Sequence, residues 1–126
     1  MMRVRVKIWL EKEGKPVLGN GKLTLLQAID EEGSISRAAL KLGISFRRAW
    51  NFLDSVERNI GLKLLKRKKG GTGGGSTRLT EEAKELIARF NRLSEETRRY
   101  AESRFRSLFE EVDENDLGGR SPGQHF

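Results

Sequence analysis

The chain has 126 residues, no cysteine, and 25 lysines and arginines against 18 acidic residues, which gives a net charge of +7. This length fits one domain with an appended helix, and a second full domain is not expected. The lack of cysteine excludes disulfides and thiol chemistry, and one histidine (His125) cannot supply a catalytic triad or a histidine-ligated metal site, so we expect no enzyme, metal or cofactor.

The first predicted element is a half-buried strand over residues 3–11, where apolar and polar side chains alternate. Its inward face would consist of Val4, Val6, Ile8 and Leu10. Glycines and a proline interrupt the pattern after this strand, and residues 17–18 are a candidate return strand.

Three predicted helices follow, and a glycine ends each of them. The apolar spacing predicts helices over residues 22–32, 35–42 and 46–59. Ser34 and Ser45 stand at the N-cap positions of the second and third helices. The predicted core face of the third helix is Phe46, Ala49, Trp50, Leu53, Val56 and Ile60.

The second and third helices have the spacing of a helix-turn-helix motif. Ala39 is small enough for two helices to cross closely, and Gly43 in the turn tolerates a positive φ. The exposed side of the later helix would then enter the major groove of DNA, where arginine suits guanine and asparagine suits adenine. The predicted DNA contacts of this motif are Ser34, Ser36, Arg37, Ser45, Arg47, Arg48 and Asn51.

A strand–loop–strand segment over residues 62–79 follows directly and completes a winged helix-turn-helix. The basic wing, residues 66–78, suits the DNA backbone or the minor groove, and the alternative is a solvated flexible loop. Its glycines resemble a nucleotide-binding loop, but Ser76 stands where the phosphate-binding lysine belongs. The predicted contacts of the wing are Lys66, Arg67, Lys68, Lys69 and Arg78.

Thr80 is the predicted cap of a long last helix over residues 81–112. Its apolar stripe steps by three and four residues with one stutter near Thr97, which predicts a dimerisation helix. The alternative is a helix that folds back on its own domain. The predicted dimer contacts are Leu86, Phe90, Leu93, Ala101, Phe105 and Leu108. Residues 113–126 have no apolar period, and we expect a disordered tail.

The charge divides along the same boundaries. The net charge is +10 over residues 1–80, −1 over residues 81–112 and −2 over residues 113–126. A basic first part is expected if that part meets a polyanion, although a solubilising surface excess would give the same total. The predicted fold is mainly α with small antiparallel β elements: a winged helix-turn-helix with an N-terminal strand over residues 1–80, then the dimerisation helix.

Residues 26–39 and 43–50, with the glycine-rich segment 70–80, resemble the N-terminal DNA-binding domain of the molybdate-dependent transcriptional regulators (ModE-type). More distantly, the pattern resembles the LysR-type winged helix, and the resemblance covers about residues 20–90. It implies a homodimeric repressor or activator with the helix at 46–59 in the major groove. Full-length members add C-terminal molybdate-binding domains, for which this chain has no room after about residue 112. The resemblance thus implies a stand-alone relative, or one with a separate effector-sensing partner.

The leading hypothesis is a homodimeric transcription regulator that binds double-stranded DNA. No apolar run is long enough to span a membrane and no signal peptide is evident, so we expect a cytoplasmic protein. Two alternatives stay open: a winged-helix adaptor that binds other proteins, and a chromosomal protein that binds DNA without sequence preference.

Overall fold

A computed structural model of the chain describes residues 1–68 and 76–110. The elements in chain order are β1 (Leu10–Lys12), β2 (Lys15–Leu18), α1 (Asn20–Glu32), α2 (Ile35–Leu42), α3 (Phe46–Ile60), β3 (Leu65–Lys68), β4 (Ser76–Leu79), α4 (Glu81–Phe105) and a π-helical turn (Arg106–Glu110). The predicted fold class is confirmed, with α-helices and two two-stranded antiparallel sheets. The predicted tail, residues 113–126, lies outside the described residues.

The chain groups into two compact units. One unit contains Ile8–Asn91, and the other contains Met1–Lys7 with the described residues from Arg92 to Glu110. The first unit includes the early turns of α4, whereas the predicted domain boundary stood at residue 80.

The predicted strand over residues 3–11 is wrong for most of its length. Only Leu10–Lys12 form β1, and Val6 and Trp9 are exposed. Alternating apolar and polar side chains are typical of a strand, but a strand also needs a partner strand for its backbone hydrogen bonds. The partner here, β2, has only four residues, with a bulge opposite Leu10 and Glu11, so β1 is short. Glu13 and Gly14, both with positive φ, close this short hairpin as a two-residue turn.

The core of the Ile8–Asn91 unit forms around α1, which contacts α2, α3, β2 and β4. Because α1 packs against several elements, it buries side chains around much of its circumference, namely Leu23, Leu25, Leu26, Ala28 and Ile29. The largest fully buried side chains are Leu18, Leu25, Leu26, Ile29, Leu64 and Val56.

The predicted helix caps are confirmed. Gly33, Gly43 and Gly61 follow α1, α2 and α3 in the left-handed conformation that glycine adopts without strain. The Thr80 hydroxyl accepts a hydrogen bond from the Ala83 amide at 3.1 Å and caps α4.

The first part of α4 belongs to the core of its own chain. Ala83, Ile87 and Phe90 are buried, and Leu86 is half-buried against the same cluster. With only 2% of Phe90 exposed, its assignment to a dimer contact is corrected, because its ring is already packed within one chain.

In the other unit, the end of α4 and the π-helical turn leave more apolar surface open. Leu93 and Leu108 are exposed, while Ala101 and Phe105 are half-buried. The rings of Phe105 and Phe109 stack with their centroids 5.2 Å apart. Arg98 forms ion pairs with Glu95 and Glu102, and these carboxylates raise the pKa of Arg98.

Candidate nucleic-acid interface

The turn between α2 and α3 has the geometry that a helix-turn-helix requires. Gly43 has a φ of 71°, and the Ile44 amide donates a hydrogen bond to the Ala39 carbonyl at 3.0 Å. Ala39 and Ala49 are buried where α2 and α3 meet, and their small side chains allow the two helices to pack closely. The predicted roles of Ala39 and Gly43 are therefore confirmed.

Serine hydroxyls fix the first turns of both helices. The Ser34 hydroxyl accepts a hydrogen bond from the Arg37 amide at 3.2 Å, and the Ser45 hydroxyl accepts one from the Arg48 amide at 3.1 Å. Both serines thus serve as N-caps. The side chains of Ser36 and Arg37 are exposed on the first turn of α2.

An ion pair links α1 to the end of α2. The Lys41 ammonium lies 3.0 Å from the Glu31 carboxylate. This hydrogen bond raises the pKa of Lys41, with a further contribution from the charge of Glu31. Both side chains are well exposed, so the pair adds little to stability.

Two of the predicted base-reading residues lie on the open side of α3. The helix buries Ala49, Leu53 and Val56, and at about 100° per residue Arg47 and Asn51 point away from that stripe. Both side chains are exposed and four residues apart, so they lie one above the other.

Arg48 occupies a flank of α3. Its guanidinium lies 5.4 Å from the centre of the Phe52 ring, within the range of a cation–π contact. Since Phe52 packs against the core, it limits where this exposed guanidinium can reach.

The predicted burial of Trp50 and Phe46 is wrong. Trp50 is 39% exposed and Phe46 is 53% exposed. The apolar stripe of α3 is wider than the surface against which the helix packs, so its edge faces outward. With Arg47 and Asn51, the two aromatic side chains line a shallow depression of about 430 Å³.

The β3–β4 hairpin places cations opposite each other. Lys66 pairs with Arg78 in the antiparallel register, and both side chains are exposed. Like charges directly opposite each other on a sheet repel, and an anion between them relieves the repulsion. Arg67 and Lys68 are also exposed, whereas Lys69 lies outside the described residues.

Hydrogen bonds that the sequence pattern did not predict hold the base of this hairpin. The Glu57 carboxylate accepts a hydrogen bond from the Leu64 amide at 2.8 Å. The Thr80 hydroxyl donates to the Lys63 carbonyl at 2.8 Å, and the Thr77 amide donates to the Gly33 carbonyl at 2.9 Å. One signal in the sequence was the position of Glu57, four residues after Leu53 and so beside the buried stripe of α3.

A groove of about 600 Å³ separates α3 from β3. Acidic side chains stand on its helix side and basic side chains on its strand side. One of the acids, Asp54, pairs with Arg58 at 3.0 Å. The groove is lined by Trp50, Asp54, Glu57, Lys63, Leu65, Lys66, Arg67 and Thr80.

Residues 1–68 and 76–110 were searched for metal sites and for helices that could span a membrane. Within these ranges, no three histidine or acidic side chains come together as a metal site. None of the helices described there is both long and apolar enough to cross a bilayer.

Comparisons with known proteins agree with this geometry. Residues 21–84, from α1 to the start of α4, match the bacterial regulatory helix-turn-helix proteins of the LysR family. Over 94 residues the chain is 30% identical to the DNA-binding transcriptional dual regulator ModE of Escherichia coli K12, covering 75% of this chain and 36% of that protein. It is 45% identical over 69 residues to the molybdenum transport protein ModE of Herbaspirillum seropedicae, covering 55% and 26% of the two chains.

A solved structure shows the same fold. Full-length LysG of Corynebacterium glutamicum, with bound effector Arg, matches with a TM-score of 0.51 at 21% identity, covering 72% of this chain and 30% of that chain. Because the match over residues 21–84 covers about half of the chain, the chain belongs to the LysR family of bacterial helix-turn-helix regulators. Its helix-turn-helix is a DNA-binding domain homologous to those of ModE regulators. The predicted resemblance is confirmed. The chain spans about a third of the length of the curated relatives that it matches.

Proposed function

We propose that the chain is a sequence-specific, homodimeric transcription regulator that acts on duplex DNA in the cytoplasm. In this proposal α3 reads bases in the major groove, and the β3–β4 wing contacts the backbone or the minor groove. The observation that carries it is the exposure of Arg47 and Asn51 on the side of α3 opposite the buried stripe. These are the side-chain types that pair with guanine and adenine edges.

The wing supplies the contacts that carry no sequence information. Its exposed cations, with Lys66 and Arg78 directly opposed, favour phosphate oxygens. The hydrogen bonds that Glu57 accepts and Thr80 donates at its base support this role, because they fix the start of β3 and the end of β4.

Two double variants test whether α3 reads bases while the wing contacts the DNA backbone. Arg47→Ala with Arg48→Ala should weaken binding to a selected duplex by roughly 5- to 150-fold for each base that the variant no longer reads, and should change random duplexes less. Lys66→Ala with Lys68→Ala should weaken binding to every duplex and lower the salt slope by about 1 for each phosphate that is no longer neutralised. Binding is measured by fluorescence anisotropy between about 50 and 200 mM salt.

Arg89→Ala is the matched control, since it removes a cation that pairs with Glu85 on α4. It should leave both kinds of binding unchanged. If the Arg47/Arg48 variant bound the selected duplex as well as the parent did, α3 would not be the reading helix. A parent that bound no duplex at about 50 mM salt would favour the protein adaptor.

The homodimer rests on the apolar side chains of residues 92–110. Leu93 and Leu108 are 45% and 54% exposed, and a helix with such side chains commonly covers them with a partner helix. Sedimentation should give about twice the 14.3 kDa chain mass. Leu93→Glu with Leu108→Glu, or removal of residues 93–126, should shift the protein toward monomer. A monomeric parent would disprove the dimer.

We propose that any sensing of molybdenum lies outside the Ile8–Asn91 unit. The names of the relatives refer to molybdenum transport, and those proteins extend well beyond the matched region. Duplex affinity of the purified chain should therefore be the same with and without molybdate. A shift in affinity on adding molybdate to the purified chain would contradict this assignment.

A further inference from the structure

The exposed aromatic pair of α3 has no role in the DNA contacts proposed above. Phe46 and Trp50 are 53% and 39% exposed, although both side chains are large and apolar. They lie one helical turn apart, so they form a continuous apolar strip along α3. Hydrophobic burial does not explain this strip, because Ala49, Leu53 and Val56 supply the contact of α3 with the core.

The strip lies beside the polar pair that faces the DNA. Arg47 follows Phe46 and Asn51 follows Trp50, so the two pairs are neighbouring rows on the same helix surface. All four side chains line one shallow depression. Trp50 also borders the groove toward β3, which is lined by the basic Lys66 and Arg67 and by the acidic Asp54 and Glu57.

These surroundings decide which partner fits the strip. The acids of this groove already have partners in the chain, since Asp54 pairs with Arg58 and the Glu57 carboxylate accepts from the Leu64 amide. The cations beside the strip therefore favour a polyanion and disfavour an ordinary apolar protein surface. Within the major groove, the apolar group that base pairs present is the 5-methyl of thymine. A ring that enters the groove with Arg47 and Asn51 therefore finds a matching apolar surface at thymine.

We propose that Phe46 and Trp50 recognise thymine methyl groups in the operator. The proposal rests on the placement of α3 in the major groove. Asn51 is suited to adenine, so Asn51 and Trp50 can read the two strands of A·T pairs at the same or adjacent steps. The aromatic strip thus selects T at defined positions and Asn51 selects A.

Replacing thymine by deoxyuridine tests this contact directly, because the exchange removes the methyl group and keeps the base pairing. A duplex is first selected from a random pool with the full chain, and each of its thymines is then replaced in turn. The parent should lose affinity about fourfold for each contacted methyl, as expected for one carbon-sized apolar group. The sensitive positions should fall at one or two sites in each half of the duplex.

Protein variants separate the strip from its neighbours. Trp50→Ala and Phe46→Ala should bind the selected duplex more weakly and should each lose sensitivity to deoxyuridine at one of those positions. Arg47→Ala is the control, since it should bind weakly and keep the sensitivity. Circular dichroism confirms that each variant is folded, which the exposure of both rings favours.

The outcomes distinguish thymine recognition from base reading by α3. A parent that is insensitive to deoxyuridine at every position of a selected duplex overturns thymine recognition and leaves base reading by α3 intact. Equal sensitivity of the parent and the two aromatic variants also overturns it. A pool that yields no enriched sequence overturns base reading by α3 and thymine recognition together.

Discussion

Replacing Glu57 with alanine should destabilise the winged unit through one hydrogen bond at the base of the wing. The Glu57 carboxylate lies 2.8 Å from the amide nitrogen of Leu64, and Leu64 is fully buried. Alanine provides no acceptor, and the packed side chain of Leu64 hinders water from reaching the abandoned amide. The cost is therefore the desolvation of an unpaired N–H group added to the loss of a charge-assisted bond.

The magnitude follows from these terms. A hydrogen bond to a charged group contributes about 1.5–3 kcal/mol, and we take about 2 kcal/mol for this half-buried carboxylate. In a unit of this size, that loss lowers Tm by roughly 8–16 °C. The glutamine variant keeps an acceptor oxygen at the same reach, so it should lose less than half as much.

Thermal and urea unfolding, followed by circular dichroism, measure the effect. Asp54→Ala is the matched control, because it removes an acid from the preceding turn of α3 whose partner, Arg58, is exposed. That surface pair should contribute less than about 1 kcal/mol. The reasoning is refuted if the Glu57→Ala and Asp54→Ala proteins unfold at the same temperature and urea concentration.

Three further changes probe the turn, the last helix cap and the α4 ion pairs. Gly43→Ala should cost about 1–2 kcal/mol in urea unfolding, because the residue has a φ of 71° although space for a methyl group is open; an unchanged midpoint would contradict this. Thr80→Val should lower the free energy of unfolding by about 2 kcal/mol, since the hydroxyl both donates and accepts a hydrogen bond. Thr80→Ser keeps the hydroxyl and should retain most of that free energy. The hydrogen bond from Arg98 lowers the pKa of Glu95, so this stabilisation of α4 is present above the ordinary carboxyl pKa and is lost as the pH falls through the lowered pKa. The helix signal in circular dichroism should therefore decrease as the pH falls through the lowered pKa of Glu95, and Glu95→Gln should remove this decrease.

The helices and their ends were predictable because their signals are local. Ser34 and Ser45 cap α2 and α3 at the predicted positions, and Gly43 adopts its left-handed conformation within the same few residues. A cap needs only a hydroxyl and an amide three residues apart, so no distant part of the chain can change it. For the same reason, the sequence alone predicts the helix-turn-helix.

The residues at the edges of the core were less predictable. Trp50 and Phe46 fit the apolar stripe of α3 as well as Leu53 does, yet they are exposed. Phe90 fits a dimer seam, yet it is buried within its own chain. Helical spacing gives the direction of a side chain, but the width of the surface packed against it depends on neighbouring elements.

The sequence by itself determined the order of the helices, their caps, the basic wing and the family of DNA-binding regulators to which the chain belongs. Only the tertiary structure decided how far the core extends across α3 and α4, and which groups secure the wing. The Glu57 carboxylate meets the Leu64 amide seven residues later, and the Thr80 hydroxyl meets the Lys63 carbonyl seventeen residues earlier. Such contacts depend on where the chain returns in space, whereas caps and periodicity depend on residues within one or two helical turns.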